Sequence, residues 1–198
     1  MKAEMSSSQP HRLDCPDSAP VGLVSGLASD GKHRFSKTPQ DSLTLLEGLG
    51  IEGDAHAGGF VRHRYLARYR PTMANLRQVH LIPTELLDSL RMERHELGPG
   101  DLGENVLTAG LDLEIMPLGT ILKLGPDASI ELTGLRTPCV LIDRFRSGLR
   151  ARMIVERPGR PKFRCGVMAV VRTGGRVTVG NAITVEFPSG PFRPLPAL

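Results

Sequence analysis

Tryptophan is absent and aromatic residues make up only 4% of the chain. That scarcity argues against the stacking platforms on which single-stranded nucleic acids are held. Cysteine is also sparse, at positions 15, 139 and 165, with no C-x-x-C pair and no zinc-ligand spacing. Neither a zinc module nor a disulfide scaffold is expected from such a set, and an odd count points to a reducing compartment. No apolar run approaches the ~18 residues of a membrane span. The opening "MKAEMSSSQPHRLDCPDSAP" lacks the apolar core of a secretory signal. The expectation is a cytoplasmic protein with no membrane partner. The net charge of +4 is mild, and with no recognition motif beside it no nucleic-acid partner is expected. Lysine is restricted to positions 2, 32, 37, 123 and 162, so arginine carries most of the positive charge. Its planar fork suits phosphate or carboxylate ligands.

What is present is a β-rich pattern. Hydrophobic residues make up 40% of the 198-residue chain, enough for one domain with its own core. Residues 1–20, rich in Ser, Pro and charge, read as a disordered tail that includes Cys15. A domain over 21–187 and a tail over 188–198 follow. "VGLVSGLAS" (21–29) and "RQVHLI" (77–82) read as strands. Pro83 opens the amphipathic helix "PTELLDSLRMER", with Leu86, Leu87 and Leu90 on one face. "GTILKLG" and "ASIELTG" form a hairpin across Gly125-Pro126-Asp127. "CGVMAVVR" and "RVTVG" flank Thr173-Gly174-Gly175, a second hairpin signal. No βαβ series, internal repeat or P-loop is visible. The fold class expected is mainly β, a closed or partly open barrel of chiefly antiparallel strands with two or three helices.

The chemistry centres on "LRTPCVLIDRF" (135–145). Thr137 suits a helix N-cap and Pro138 the first helical position. Leu141, Phe145 and Leu149 then fall four apart. A helix from Pro138 would place Cys139 in its first turn, where the helix dipole and nearby Arg136 would favour a thiolate. The β-branched Val140 and Ile142 also allow a strand, in which Cys139 would be an inert core residue. A thiolate here could act as a nucleophile, carry sulfur as a persulfide or ligate a soft metal. His56 and His80 are candidate partners. Asp54 and His56 share the turn "GDAHAG", where His56 is suited to proton transfer near neutral pH. His80 sits in an alternating strand, more often a structural position. Arg62, Arg64, Arg68 and Arg70 with His63 form a basic run, and Cys165 starts an apolar strand.

Several of these stretches, taken in order, resemble the MOSC family, the domain found at the C-terminal end of molybdenum cofactor sulfurases and as small free-standing proteins. They are "GLGIEGDAHAG" (48–58), "RQVHLIP" (77–83), "PGDLGENVLTAGLDL" (99–113), "LGTILKLG" (118–125), "LTGLRTPC" (132–139) and "CGVMAVVRTGG" (165–175). The resemblance implies a barrel like the small domain of pyruvate kinase and a bound molybdenum cofactor (molybdopterin). It implies that Cys139 is a molybdenum ligand or a sulfur carrier. Arg136, Thr137, Asn105 and His80 become candidate cofactor contacts, with His56 beside Cys139 as a candidate catalytic residue. The implied reaction is reduction of an N-hydroxylated small molecule. The chain shows no desulfurase module, ferredoxin-type cysteine set or flavin motif. A redox partner protein or a desulfurase-type sulfur donor must then act from outside. The alternative is a non-catalytic module that docks on a sulfur-transfer or cofactor-synthesis enzyme.

Overall fold

The computed structural model describes residues 21–61, 68–69, 72–155 and 163–198. The expected N-terminal tail with Cys15 lies outside these residues, as does most of the basic run, of which Arg68 alone is described and is exposed.

A closed barrel forms the body of the fold. Its strands are β1 (Val21–Ser29), β5 (Val79–Pro83), β6 (Val106–Ala109), β7 (Ile121–Leu124), β8 (Ala128–Leu135), β9 (Val167–Thr173) and β11 (Ala182–Glu186). The order is β11-β7-β8-β9-β5-β6-β1, and β1 closes the ring by pairing with β11. Strand β1 manages this by changing partners along its length. Val21–Leu23 pair with β11, Leu23–Leu27 with β6, and Leu27–Ser29 with the short outer strand β2 (Thr38–Gln40). A register shift between Val24 and Gly26 gives β1 the bend that closure demands.

Period-two alternation fills the barrel. Val79 and Leu81 of β5, Val106 of β6, Leu122 and Leu124 of β7, Ile130 and Leu132 of β8, and Val167 and Ala169 of β9 join one buried aliphatic cluster. Each large aliphatic side chain removed from water there contributes about 1.5–3 kcal/mol. A second cluster lies outside the wall. It joins Ile82 and Leu107 from the barrel strands to Leu86, Leu87 and Leu90 of α1 (Thr84–Met92), with Ile142, Leu149, Met153 and Cys165. Helix α1 carries the chain from β5 to β6, which run parallel. A single β-α-β crossover is thus set into an otherwise antiparallel ring.

Two expectations are corrected. The signal at Thr173–Gly175 does not make a hairpin. Strand β10 (Gly175–Thr178) pairs with β3 (Ser42–Leu46), which pairs with β4 (Gly50–Ile51) in a separate three-stranded sheet. The reason is that both edges of β9 are already taken, by β8 and by β5. Strand β10 instead brings Val177 to Leu43 and Leu45, which pack into the barrel cluster. The helix after Pro138 is also shorter and later than its spacing suggests. It runs as α2 (Val140–Phe145), breaks at extended Arg146 and left-handed Gly148, and resumes as α3 (Leu149–Arg152). Cys139 is the N-cap, in extended conformation, rather than a first-turn residue. The expected hairpin β7–β8 is present.

Residues 193–198, which the sequence leaves outside the domain, return to the barrel. Leu195 is buried in its core cluster and Ala197 bridges Leu135 in parallel.

Candidate functional site

A cavity of about 360 Å³ opens on the outside of the barrel wall, over the ends of β5, β8 and β9. Alternation puts it there. His80 on β5 and Met168 on β9 face away from the barrel interior and line the cavity. Arg136, Thr137 and Cys139 follow the end of β8 and complete that side. Arg34, Phe35 and Lys37, with His56, Asn75 and Arg77, supply much of the remaining lining. Five of the six expected site residues, Cys139, His56, Arg136, Thr137 and His80, therefore line one cavity. Asn105 does not. It is buried behind the wall, donating to the Ala28 carbonyl at 3.1 Å and to Asp54 Oδ2 at 3.0 Å, and accepting from the His80 N–H at 3.2 Å. Its place is structural support for Asp54 and His80.

The lining is cationic. Arg34, Lys37, Arg77 and Arg136 face the cavity, and no carboxylate belongs to the lining among the described residues. The compensating acids lie behind it. Asp54 pairs with Lys37 (Nζ–Oδ2, 2.6 Å), and both side chains are almost fully buried. The other oxygen, Oδ1, accepts the His56 backbone N–H at 2.9 Å and its Nδ1–H at 3.2 Å. Burial alone would raise the Asp54 pKa. The hydrogen bonds from His56 and the charge of Lys37 outweigh it and hold the carboxyl well below the usual range. An ionised Asp54 selects the Nδ1–H tautomer of His56 and leaves Nε2 for the cavity. Burial pulls Lys37 below the usual lysine value in spite of Asp54.

Glu104 is the second hidden acid. It accepts the N–H of Gly100 and that of Leu102, and burial pushes its carboxyl up. Its loop holds Lys37 in place: the Lys37 N–H donates to the Gly100 carbonyl at 2.8 Å. Gly100 has φ +86°, and a Cβ there would lie 2.4 Å from the Lys37 carbonyl, so glycine is required. His80 is neutral. Burial, and then the charge of Arg136, hold its imidazole well below the usual histidine pKa, and its Nε2 bonds the Cys165 carbonyl at 3.0 Å. The Arg136 guanidinium donates to the Leu102 carbonyl at 2.8 Å and stands 6.0 Å from the Phe35 ring centroid. Phe35 packs against Phe145 of α2, and Leu141 completes an apolar margin. The Thr137 hydroxyl donates to the Leu198 main-chain oxygen at 2.8 Å.

A protein-family model, the MOSC domain, matches residues 68–184. The chain belongs to the MOSC family. The match takes in Arg77, His80, Arg136 and Cys139 and does not reach the lining residues Lys37 and His56. Among solved structures, the YuaD protein of Bacillus subtilis is 24% identical with a TM-score of 0.68, over 85% of this chain and 97% of that one. YiiM of Escherichia coli is 21% identical with a TM-score of 0.55, over 90% and 74%. YiiM of Geobacillus stearothermophilus is 17% identical with a TM-score of 0.56, over 84% and 75%. These likenesses establish a shared fold. No curated protein sequence matches this MOSC chain.

Lys37, Phe35 and Arg77 were not singled out from the sequence. Phe35 and Lys37 sit in a loop without periodicity, and Arg77 looks like an ordinary strand-start residue. The one available signal was the glycine-dense "GPGDLGE", which marks a loop packed tightly on another segment.

Among the described residues no three His, Cys, Asp or Glu side chains gather as a metal site. A metal held in this MOSC cavity would therefore find at most two such side chains together among the described residues, and Cys139 is the thiol in the lining. The cavity volume lies in the range of small-molecule pockets, and thiol, guanidinium and imidazole groups suit a ligand that is both soft-metal-bearing and anionic. No helix among the described residues is long and apolar enough to cross a membrane.

Proposed function

We propose that this MOSC domain binds a molybdenum–pterin cofactor, with Cys139 as thiolate ligand to the metal or as carrier of a transferable sulfur. One observation carries the reading: His56 and Arg77, remote in sequence from the neighbours Arg136 and Cys139, line one cationic cavity with them. Arg77 and Arg136 are placed to hold the anionic part of the ligand. Phe35 and Leu141 offer its rings an apolar wall. The bound cofactor would supply two-electron redox chemistry.

The reaction class that fits is reduction of an N-hydroxylated compound. The N–O bond breaks, two electrons arrive from an external redox partner protein, two protons are taken up and water leaves. His56, held by Asp54 through Nδ1–H, takes up a proton from solvent at Nε2 and passes it on from the cavity wall. Sulfur transfer instead requires a desulfurase-type donor. Either partner finds a docking face next to Cys139, because Val140, Leu141 and Phe145 of α2 are all exposed by more than a third. That same face favours the second reading, an interaction module without bound cofactor.

The test is metal and pterin analysis of protein made in a cofactor-competent host. Molybdenum and a fluorescent pterin oxidation product co-purify with the parent and are lost from Cys139→Ser. A normal molybdenum content in that variant ends the ligand assignment. A stoichiometric partner protein without metal establishes the interaction module instead.

A further inference from the structure

We propose that residues 193–198 form a strap that positions the Arg136–Cys139 loop, with Thr137 as the positioning residue that couples the two. The proposal rests on the reading above only in taking Cys139 as the reactive group.

The strap is anchored at two places. The Leu118 N–H donates to the Arg193 carbonyl at 2.8 Å, and the Leu195 side chain is 6% exposed within the barrel cluster. Between these anchors and the cavity the segment runs beside the end of β8. The Leu135 N–H donates to the Pro196 carbonyl at 2.7 Å, and the Leu198 N–H donates to the Leu135 carbonyl at 2.9 Å. The Leu198 main-chain oxygen then accepts twice from Thr137, from its N–H at 3.3 Å and from its hydroxyl at 2.8 Å. The approach is close: a Cβ on Gly134 would lie 2.6 Å from both Leu198 Cγ and the Pro196 carbonyl oxygen.

The opposite edge is held by β9. Leu135 pairs with Val167, and the Arg136 N–H donates to the Gly166 carbonyl at 3.0 Å. Residues 135–137 are thus hydrogen-bonded on both sides, like an inner strand, although β8 ends at Leu135. Two residues further on stands Cys139. The link between is Pro138, which is buried and whose ring fixes its φ. Holding Thr137 therefore fixes where the chain enters Cys139 and α2. It also fixes Arg136, whose guanidinium reaches Leu102 across the cavity edge. Without the strap one edge of this stretch is bare, and the thiol is free to leave its packing against the outer cluster.

The experiment is alkylation of the full-length, ligand-free chain by iodoacetamide, with the modified peptides resolved by mass spectrometry. Cys165 is fully buried and serves as an internal reporter of global opening. Thr137→Val removes the hydroxyl donor at nearly constant volume, and Thr137→Ser keeps it. Gly134→Ala pushes the strap away. Alkylation of Cys139 is expected to rise roughly fivefold to tenfold in Thr137→Val, the scale of one lost hydrogen bond. It rises at least as much in Gly134→Ala and stays at the parental rate in Thr137→Ser, with Cys165 unchanged throughout. A Cys139 rate within twofold of the parent in Thr137→Val overturns the proposal, as does a parallel rise at Cys165. Should Gly134→Ala fail to fold, the Thr137 pair alone decides. Molybdenum retention by Cys139→Ser would remove Cys139 as the metal ligand, and absence of molybdenum from the parent would remove the cofactor reading; both leave the alkylation result untouched, so the failures are distinguishable.

Discussion

Strand β5 has two faces that do different work. Val79 and Leu81 point into the barrel and are fully buried among aliphatic side chains. His80, between them, points outward to a wall of cations and carries no charge itself. The inward face needs only to be apolar and of the right volume. The outward face works through particular atoms, each tied to another: His80 to Asn105, Asn105 to Asp54, Asp54 to Lys37 and His56. Packing spreads its energy over many small contacts, whereas the polar wall concentrates it in a few bonds that fail one at a time.

The largest effect is expected where the polar wall is cut at its centre. Asp54→Ala leaves Lys37 buried without its partner and is expected to cost about 3–5 kcal/mol in urea unfolding. The double variant Asp54→Ala with Lys37→Met removes both charges and recovers most of that loss, since a buried pair is often no better than apolar residues of similar volume. Recovery would show that the pair is kept for the site, where Asp54 orients His56. If the double variant is as unstable as the single one, the pair belongs to the stability of the fold.

A cut on the inward face gives a comparable loss with a different signature. Leu81→Ala is expected to cost about 2–5 kcal/mol through the cavity it leaves. Cys139 alkylation in the folded protein should stay within twofold of the parent, because Leu81 lies on the far side of the wall. A change in that rate would mean that barrel packing reaches the site and would dissolve the contrast between the two faces.

The same contrast governs what was legible in the sequence. Alternation in "VGLVSGLAS" and "RQVHLI" pointed to β1 and β5, and the Leu86, Leu87 and Leu90 spacing to α1, because a local period reports directly on a buried face. The Thr173–Gly175 turn misled, since local turn chemistry does not show that both edges of β9 are occupied. The helix after Pro138 misled in another way: Leu141, Phe145 and Leu149 keep the spacing, but Gly148 in the left-handed region breaks the run. Cys139, Arg136 and Thr137 stood out because they are neighbours in the chain. Arg77, Lys37 and Phe35 did not, because they reach the cavity only through tertiary packing. Asn105 was read as a cofactor contact, yet it sits behind the wall and outside the cavity lining, a distinction that no local pattern contains.

His80 allows a finer probe of the outward face. The folded protein keeps it neutral, while the unfolded chain takes up a proton near pH 6.5. Stability therefore falls as pH drops below about 6.5, with a slope approaching 1.4 kcal/mol per pH unit for one proton, roughly. Above that pH the contribution is flat. Glu104 acts in the opposite sense at the acid end, because burial raises its carboxyl and the folded state then holds a proton more readily. Asp54, held low, contributes stability above the usual carboxylate value that is lost only on stronger acidification. The difference between the parent and His80→Gln over pH 5 to 7.5 isolates the histidine. It should be sloped below pH 6.5 and level above. Parallel curves would mean that His80 takes its proton in the fold and that the wall is less dry than its burial implies.

The smallest effect concerns Arg77, and it separates binding from stability within the polar wall itself. Burial, and then the charge of Arg136, lower its pKa, so the two guanidiniums repel across the cavity. No carboxylate pairs with Arg77 among the described residues. Arg77→Gln is expected to leave the ligand-free protein as stable as the parent or more stable by a few tenths of a kcal/mol, the modest scale of a partly solvated charge interaction. The gain should come with a weaker hold on anions. Inorganic phosphate is expected to bind between Arg77 and Arg136 and to raise the melting temperature of the parent by mass action, and that rise should fall by at least half in Arg77→Gln. A variant that is less stable yet keeps its full phosphate response would place Arg77 with the residues that hold the fold, alongside Asn105 rather than Arg136.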